Sequence, residues 1–141
     1  MANEQFAFIE RGKVPSRTQW QKAIDEAGFD LQLDEGLEPF GHSGFLPCKL
    51  FGADSGVETY YDAAMDVISD PNQLQELAGG RDFCISFRWG GDFRDAACAM
   101  ILSYSLARSF SAVISYEGEA PYATLEALQK DTEDIIKQVQ K

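Results

Sequence analysis

The segment from Phe93 to Phe110, FRDAACAMILSYSLARSF, constrains this chain more than any other. It has the length of a helix, and wound as one it is apolar nearly all round, interrupted by small serines. Such a helix has no face to give to water. It is therefore predicted to pack against a sheet on one side and a further helix on the other. The sheet is announced just before it. From Asp82 to Trp89, the apolar Phe83, Ile85, Phe87 and Trp89 alternate with Cys84, Ser86 and Arg88, the period-two pattern of a strand. Ala112 to Tyr116 is a second, shorter strand, so the helix between them is long enough for a right-handed parallel crossover.

The rest of the chain fits around this unit. FAFIE, Phe6 to Glu10, is a short strand. PSRTQWQKAIDEAG is a helix with Ser16 as N-cap, Gln19 completing a capping box, one apolar face of Trp20, Ala23, Ile24 and Ala27, and Gly28 as its stop. FDLQLD alternates as a half-exposed strand with an acidic outer face. EGLEPFGHSG is a loop of ten residues, longer than the ~4–6 usual in compact domains. FLPCKLF is a strand in which Pro47 favours an edge or a strand start. GADSG is expected to turn the chain into the strand VETYY, DAAMDVISD to form a short helix, and Asp70-Pro71 to restart a helical piece ended by Gly79 and Gly80. Pro121 suits the first position of a final helix with an apolar stripe of Leu125, Leu128, Ile135, Ile136 and Val139. Glu126–Lys130 and Glu133–Lys137 are i,i+4 pairs on its outer side. The expectation is one domain over 1–141: a two-layer α/β sandwich with a mixed, partly antiparallel sheet and helices mainly on one face.

Composition narrows the function classes. No apolar run approaches the ~20 residues that cross a bilayer, and MANEQFAFIERGK lacks the basic start and apolar block of a signal peptide. Cys48, Cys84 and Cys98 are widely spaced, with no CxxC pair, and fit reduced cysteines packed as small hydrophobes. A soluble, cytoplasmic protein is expected. The net charge is −11, and its position matters more than its size. Residues 23–80 hold twelve acidic side chains against one basic, Lys49, whereas 1–22 are net positive and 81–141 nearly balanced. That field repels nucleic acid and attracts cationic surfaces.

Motifs for chemistry are few. FRWGGDF places two glycines at a strand-to-helix corner, where phosphate can rest on free N–H groups. The dinucleotide fingerprint and the P-loop lysine are absent, and Asp92 with Asp95 supplies the helix with its own anion. Capping is the favoured reading. His42, the only histidine, can serve as a general base in the 36–44 loop, but a loop residue without a catalytic role is the simpler reading. Asp62, Asp66 and Asp70, four apart, would share one helical face; a solvated face, a docking surface and a divalent-metal site all remain open. With Asp25, Glu26, Asp30, Asp34, Glu35, Glu38, Asp54 and Glu58, they would form one acidic patch if their elements adjoin. Phe40, Phe45, Phe51, Tyr60 and Tyr61 are interleaved there. Phe45 or Phe51 is expected in the core, and Tyr60 and Tyr61 as anchors toward a cationic partner.

GFLPCKLFG, VETYY and ISFRWGGD followed by the helix ACAMILSYSLA, in a small acidic chain, resemble the immunity proteins of bacterial polymorphic-toxin and contact-dependent growth-inhibition systems. The resemblance implies a non-enzymatic protein without cofactor or metal, which occludes a basic toxin domain, a nuclease in many such pairs, through its acidic surface. The partner-binding residues expected are Asp30, Asp34, Glu35, Glu38, Asp54, Glu58, Tyr60, Tyr61, Asp62 and Asp66. The alternative is a small-ligand protein or enzyme using the 36–44 loop and His42.

Overall fold

The computed structural model describes residues 2–140. Strand β1 (Asn3–Ile9) leads through a 3-10 turn (Arg11–Lys13) to α1 (Arg17–Glu26), then β2 (Leu31–Leu33), β3 (Ser43–Leu50) and β4 (Ala53–Ala63). Short helices α2 (Ala64–Val67) and α3 (Pro71–Ala78) follow, then β5 (Phe83–Trp89), α4 (Phe93–Phe110), β6 (Val113–Tyr116) and α5 (Leu125–Val139). The six strands form one sheet in the order β2-β3-β4-β5-β1-β6.

The expected α/β sandwich is there, with one change to its sheet: every hydrogen-bonded pair is antiparallel. The crossover through α4 does join two parallel strands, β5 and β6. The first strand of the chain lies between them, antiparallel to both.

Helix α4 is covered as its composition demands, with every residue from Ala96 to Leu106 buried. It packs on β1, β4 and β5 beneath and against α1 and α5 at its sides. Its serines prove to be sockets for the polar atoms of neighbouring elements. Ser105 donates to its own helix at Leu102 O (2.8 Å) and accepts from the indole of fully buried Trp20 (2.8 Å). Ser103 donates to Ala99 O (2.7 Å) and accepts from the amide of Gln5 (2.8 Å). Each hydroxyl thus satisfies one buried donor from a partner, where an unpaired donor would cost ~1–3 kcal/mol.

The capping box at Ser16 and Gln19 forms as expected, as do the Asp70 cap of α3 and its left-handed end at Gly79. Elsewhere the elements differ from expectation. The β3–β4 turn is the pair Phe51-Gly52 alone, with φ of 52° and 76°, as a two-residue hairpin twisting with its strands requires. Ala53 to Gly56, expected as turn, therefore extend β4. The helix after it is four residues long, because β4 continues through Ala63 to complete its pairing with β5. The last helix begins at Leu125 on a Thr124 cap, not at Pro121. Its ion pair joins Lys130 to Asp134 (2.9 Å), and Gln129 donates to Glu133 (3.0 Å), in place of the two pairs expected.

Helices α1, α4 and α5 cover one face of the sheet. On the other, α2 and α3 cover only part: Ala64, Leu77 and Ala78 bury Phe6, Phe8 and Cys84 of β1 and β5. The outer face of β3 and β4 has no helix over it.

All three cysteines are free and buried. A hydrogen bond with Cys98, together with burial, holds the Cys48 thiol well above its ordinary range; burial does the same to Cys84. The native protein should therefore react with a thiol reagent at least about 100-fold more slowly than the urea-unfolded chain, since reaction awaits an opening that costs ~3 kcal/mol or more. One fast thiol in the native state would contradict this packing.

Candidate functional site

The bare outer half of the sheet brings together four of the ten predicted residues: Asp54, Glu58, Tyr60 and Asp62. The register sets Phe45, Glu58, Arg88 and Glu4 in one row across β3, β4, β5 and β1. Tyr60 lies in the next row beside Ser43, and Asp62 in the row beyond. Lys49 faces Asp54 at the other end, Nζ to Oδ1 3.4 Å, with both side chains largely in water. A pair so exposed is worth ~0–1 kcal/mol and leaves Asp54 available to another cation. Tyr60 donates its hydroxyl to Glu58 (2.8 Å), and this bond raises its pKa.

Of the two rings of which one is expected in the core, Phe45 is the exposed one, at 56%, because it stands on the outer face of β3. Its ring lies over Gly56: a Cβ built there would stand 2.5 Å from Phe45 Cζ. Phe51 packs partly buried against the core, as expected.

A depression of 380 Å³ beside β2 adds to this surface. It gathers Asp34, Glu35 and Asp54 with Arg17, Lys49 and Cys48. Three acids separated in sequence share it because β2 spans only three residues, so Asp34 and Glu35 leave the sheet next to Pro47. Asp34 also accepts from Gly36 N (3.2 Å), and its own N–H bonds Pro47 O (3.2 Å). Pro47 thus turns its ring nitrogen away from β4, to the side where β2 has already ended, and so sits within an inner strand rather than at the edge or strand start expected.

Other predicted residues go elsewhere. Tyr61 points to the helix-covered side, tilted against Phe83 and Phe40 at 6.4 and 6.0 Å, with its hydroxyl buried and unpartnered. It is a core residue rather than an anchor. Asp62, Asp66 and Asp70 do not share a helical face: the first is on β4, the second on α2, and the third accepts from Asn72 N (3.0 Å) as the cap of α3. Among the described residues no cluster of His, Cys, Asp and Glu can hold a metal ion. Asp30 and Glu38 are exposed beside β2 and in the long loop.

That loop is pinned by buried Leu37 and by Phe40, whose φ of 68° is the left-handed conformation. The ring of Phe40 is held between Phe83 (5.3 Å) and the guanidinium of Arg11 (4.3 Å). The His42 ring bonds Gly44 O (3.0 Å), so its recorded partner is its own loop.

At the FRWGGDF corner, Asp92 accepts from Arg94 N (2.7 Å), the capping role expected. Beside it, however, opens a cleft of 540 Å³ toward α5, Gln5 and Tyr116. Nothing local foretells it, since it exists only because β1 lies between β5 and β6.

No helix among the described residues is long and apolar enough to cross a membrane. No protein-family model, no curated protein and no solved structure matches this chain.

Proposed function

We propose that this chain is an immunity protein that binds a basic toxin domain, of nuclease type, through the outer face of β3 and β4 and the acidic residues beside β2. The observation that carries this reading is the bare half-sheet. Phe45 stands exposed on it in one row with Glu58 and next to Tyr60, with Asp54 and Asp62 farther along β4 and Asp34 and Glu35 beside β2. A large exposed aromatic side chain on a surface rich in acids fits a cationic protein surface: the ring supplies buried area and the charges steer association. Action is by occlusion. An acidic surface seated on a phosphate-binding cleft excludes the nucleic acid with no chemistry of its own.

The test is to express the product of any toxin-like reading frame found beside this gene and to measure its binding. The double variant Asp54→Lys, Glu58→Lys should weaken the complex about 30-fold, and wild-type affinity should fall as salt rises. Glu126→Lys on α5 is the control and should change neither. Equal affinity for the double variant and the wild type would remove this surface from the interface.

A further inference from the structure

We propose that the cleft beside the FRWGGDF corner binds a small organic cation, an ammonium or guanidinium group carried on a flat apolar body. The cleft is independent of the surface proposed above. Its floor rows, Asn3 with Trp89 and Gln5 with Tyr116, lie on the helix-covered face of the sheet, and its volume of 540 Å³ falls within the ~300–1,000 Å³ typical of ligand sites.

The argument rests on which hydrogen-bonding groups the cleft has left to offer. Most of its side-chain donors are spent within the protein, the Trp89 indole N–H being the exception. Tyr116 donates to Asn3 Oδ1 (2.7 Å), Asn3 Nδ2 to Gly90 O (2.9 Å), and Tyr122 to Asp131 Oδ2 (2.7 Å). Gln5 is 1% exposed, and its amide nitrogen donates to Ser103 Oγ (2.8 Å) and Met100 Sδ (3.4 Å). The Ser103 proton is already committed to Ala99 O, so Ser103 can only accept from Gln5, which fixes which end of the amide faces it. The Gln5 carbonyl oxygen, lining the cleft, has no donor among the described residues. Open to the cleft, that oxygen can accept an N–H from a ligand.

Beside the Trp89 indole N–H and the main-chain N–H groups of the corner, what remains available is acceptors: the Gln5 oxygen and the carboxylates of Asp131 and Asp92. No lysine, arginine or histidine lines the cleft. An anion would face the carboxylates of Asp92, Asp131 and Asp134 there, with only the main-chain N–H groups of the corner to set against them. The walls are aromatic, with Trp89 and Tyr116 tilted at 48° and 6.4 Å apart, and Phe93 and Tyr122 completing them. Aromatic faces attract cations and stack on flat apolar groups. Acceptors at the floor and rim with aromatic walls between select a donor-rich cation on an apolar body.

The full-length chain tests this with benzamidine and phenethylamine as the cations, and benzamide and benzoate as the neutral and anionic counterparts of the first. Trp89 fluorescence reports the cleft, since Trp20, the other tryptophan, is buried under α4. Both cations should change that fluorescence saturably, with benzamide at least about tenfold weaker and benzoate silent. Asp131→Asn, at an exposed position that leaves the fold intact, should weaken the cations about tenfold, and Gln5→Met should do likewise. Equal binding of benzamide and benzamidine would overturn the proposal. So would silence from both cations, or an affinity unmoved by Asp131→Asn.

Discussion

Trp20→Ala is expected to cost about 3–5 kcal/mol, the usual toll for truncating a large buried aromatic. Trp20 is fully buried, ties α1 to α4 through Ser105, and lies 6.4 Å from Phe87 of the sheet. Its removal opens a hole where helix, helix and sheet meet, and rigid neighbours on three sides leave little room for collapse. Against a total stability of ~5–15 kcal/mol, the loss puts the fold near its limit. Trp20→Phe keeps most of the packing and gives up the indole N–H, so it should cost about 1–2 kcal/mol. Urea unfolding of the two variants separates packing from hydrogen bonding. A loss below about 1.5 kcal/mol for alanine would mean that this three-way junction is not packed as described.

Gly56→Val should cost about 3 kcal/mol, more than its position on an open face would lead one to expect. A Cβ at Gly56 runs into Leu46 O and the ring of Phe45. The ring can swing away, because Phe45 is half in water. The carbonyl cannot, because it belongs to the β3 backbone held in the ladder, and overpacking against a fixed group costs ~1–3 kcal/mol before the valine methyls are added. Gly44, also on β3, has open space around its Cβ but a φ of 105°. Gly44→Ala should therefore carry only the backbone penalty of about 1 kcal/mol. Thermal melts of the pair would distinguish a clash from a dihedral cost, and equal losses would refute the clash.

Elements whose signals are local were legible in the sequence. Ser16 with Gln19, Asp70 with Pro71, and the alternation through Phe83–Trp89 each carry their cause within a few residues, and each formed as expected. The all-round apolar α4 even foretold its two kinds of neighbour. What could not be read depended on distant partners. Asp62 is a strand residue because β4 must match β5 through Ala63, a demand invisible in DAAMDVISD, where spacing alone favours a helix. Tyr61 faces the helix-covered side rather than a partner because the side a strand residue faces is set by register, and register follows from the two-residue turn at Phe51-Gly52, where the sequence favours five residues. Likewise, Asp34, Glu35 and Asp54 converge because β2 is short, and Gln5 reaches Ser103 across most of the chain. The acidic character of the middle region was legible; its division between an open sheet face, a helix cap and a loop was not.

The place of β1 in the sheet bears on how the molecule is made. Phe6, Ala7, Phe8 and Ile9 leave the ribosome early, yet their nearest ladder partners begin at Phe83 and the others at Val113. At ~5–20 residues per second, translation leaves this greasy segment waiting on the order of ten seconds for its sheet neighbours. During that interval α1 and the β2–β4 meander can assemble from contacts close in sequence, whereas the centre of the sheet stays open. Pairing of β1 with β5, followed by addition of β6 to the free edge of β1, is thus the late step, and a nascent chain stalled before Phe83 should be a substrate for chaperones rather than a folded subdomain.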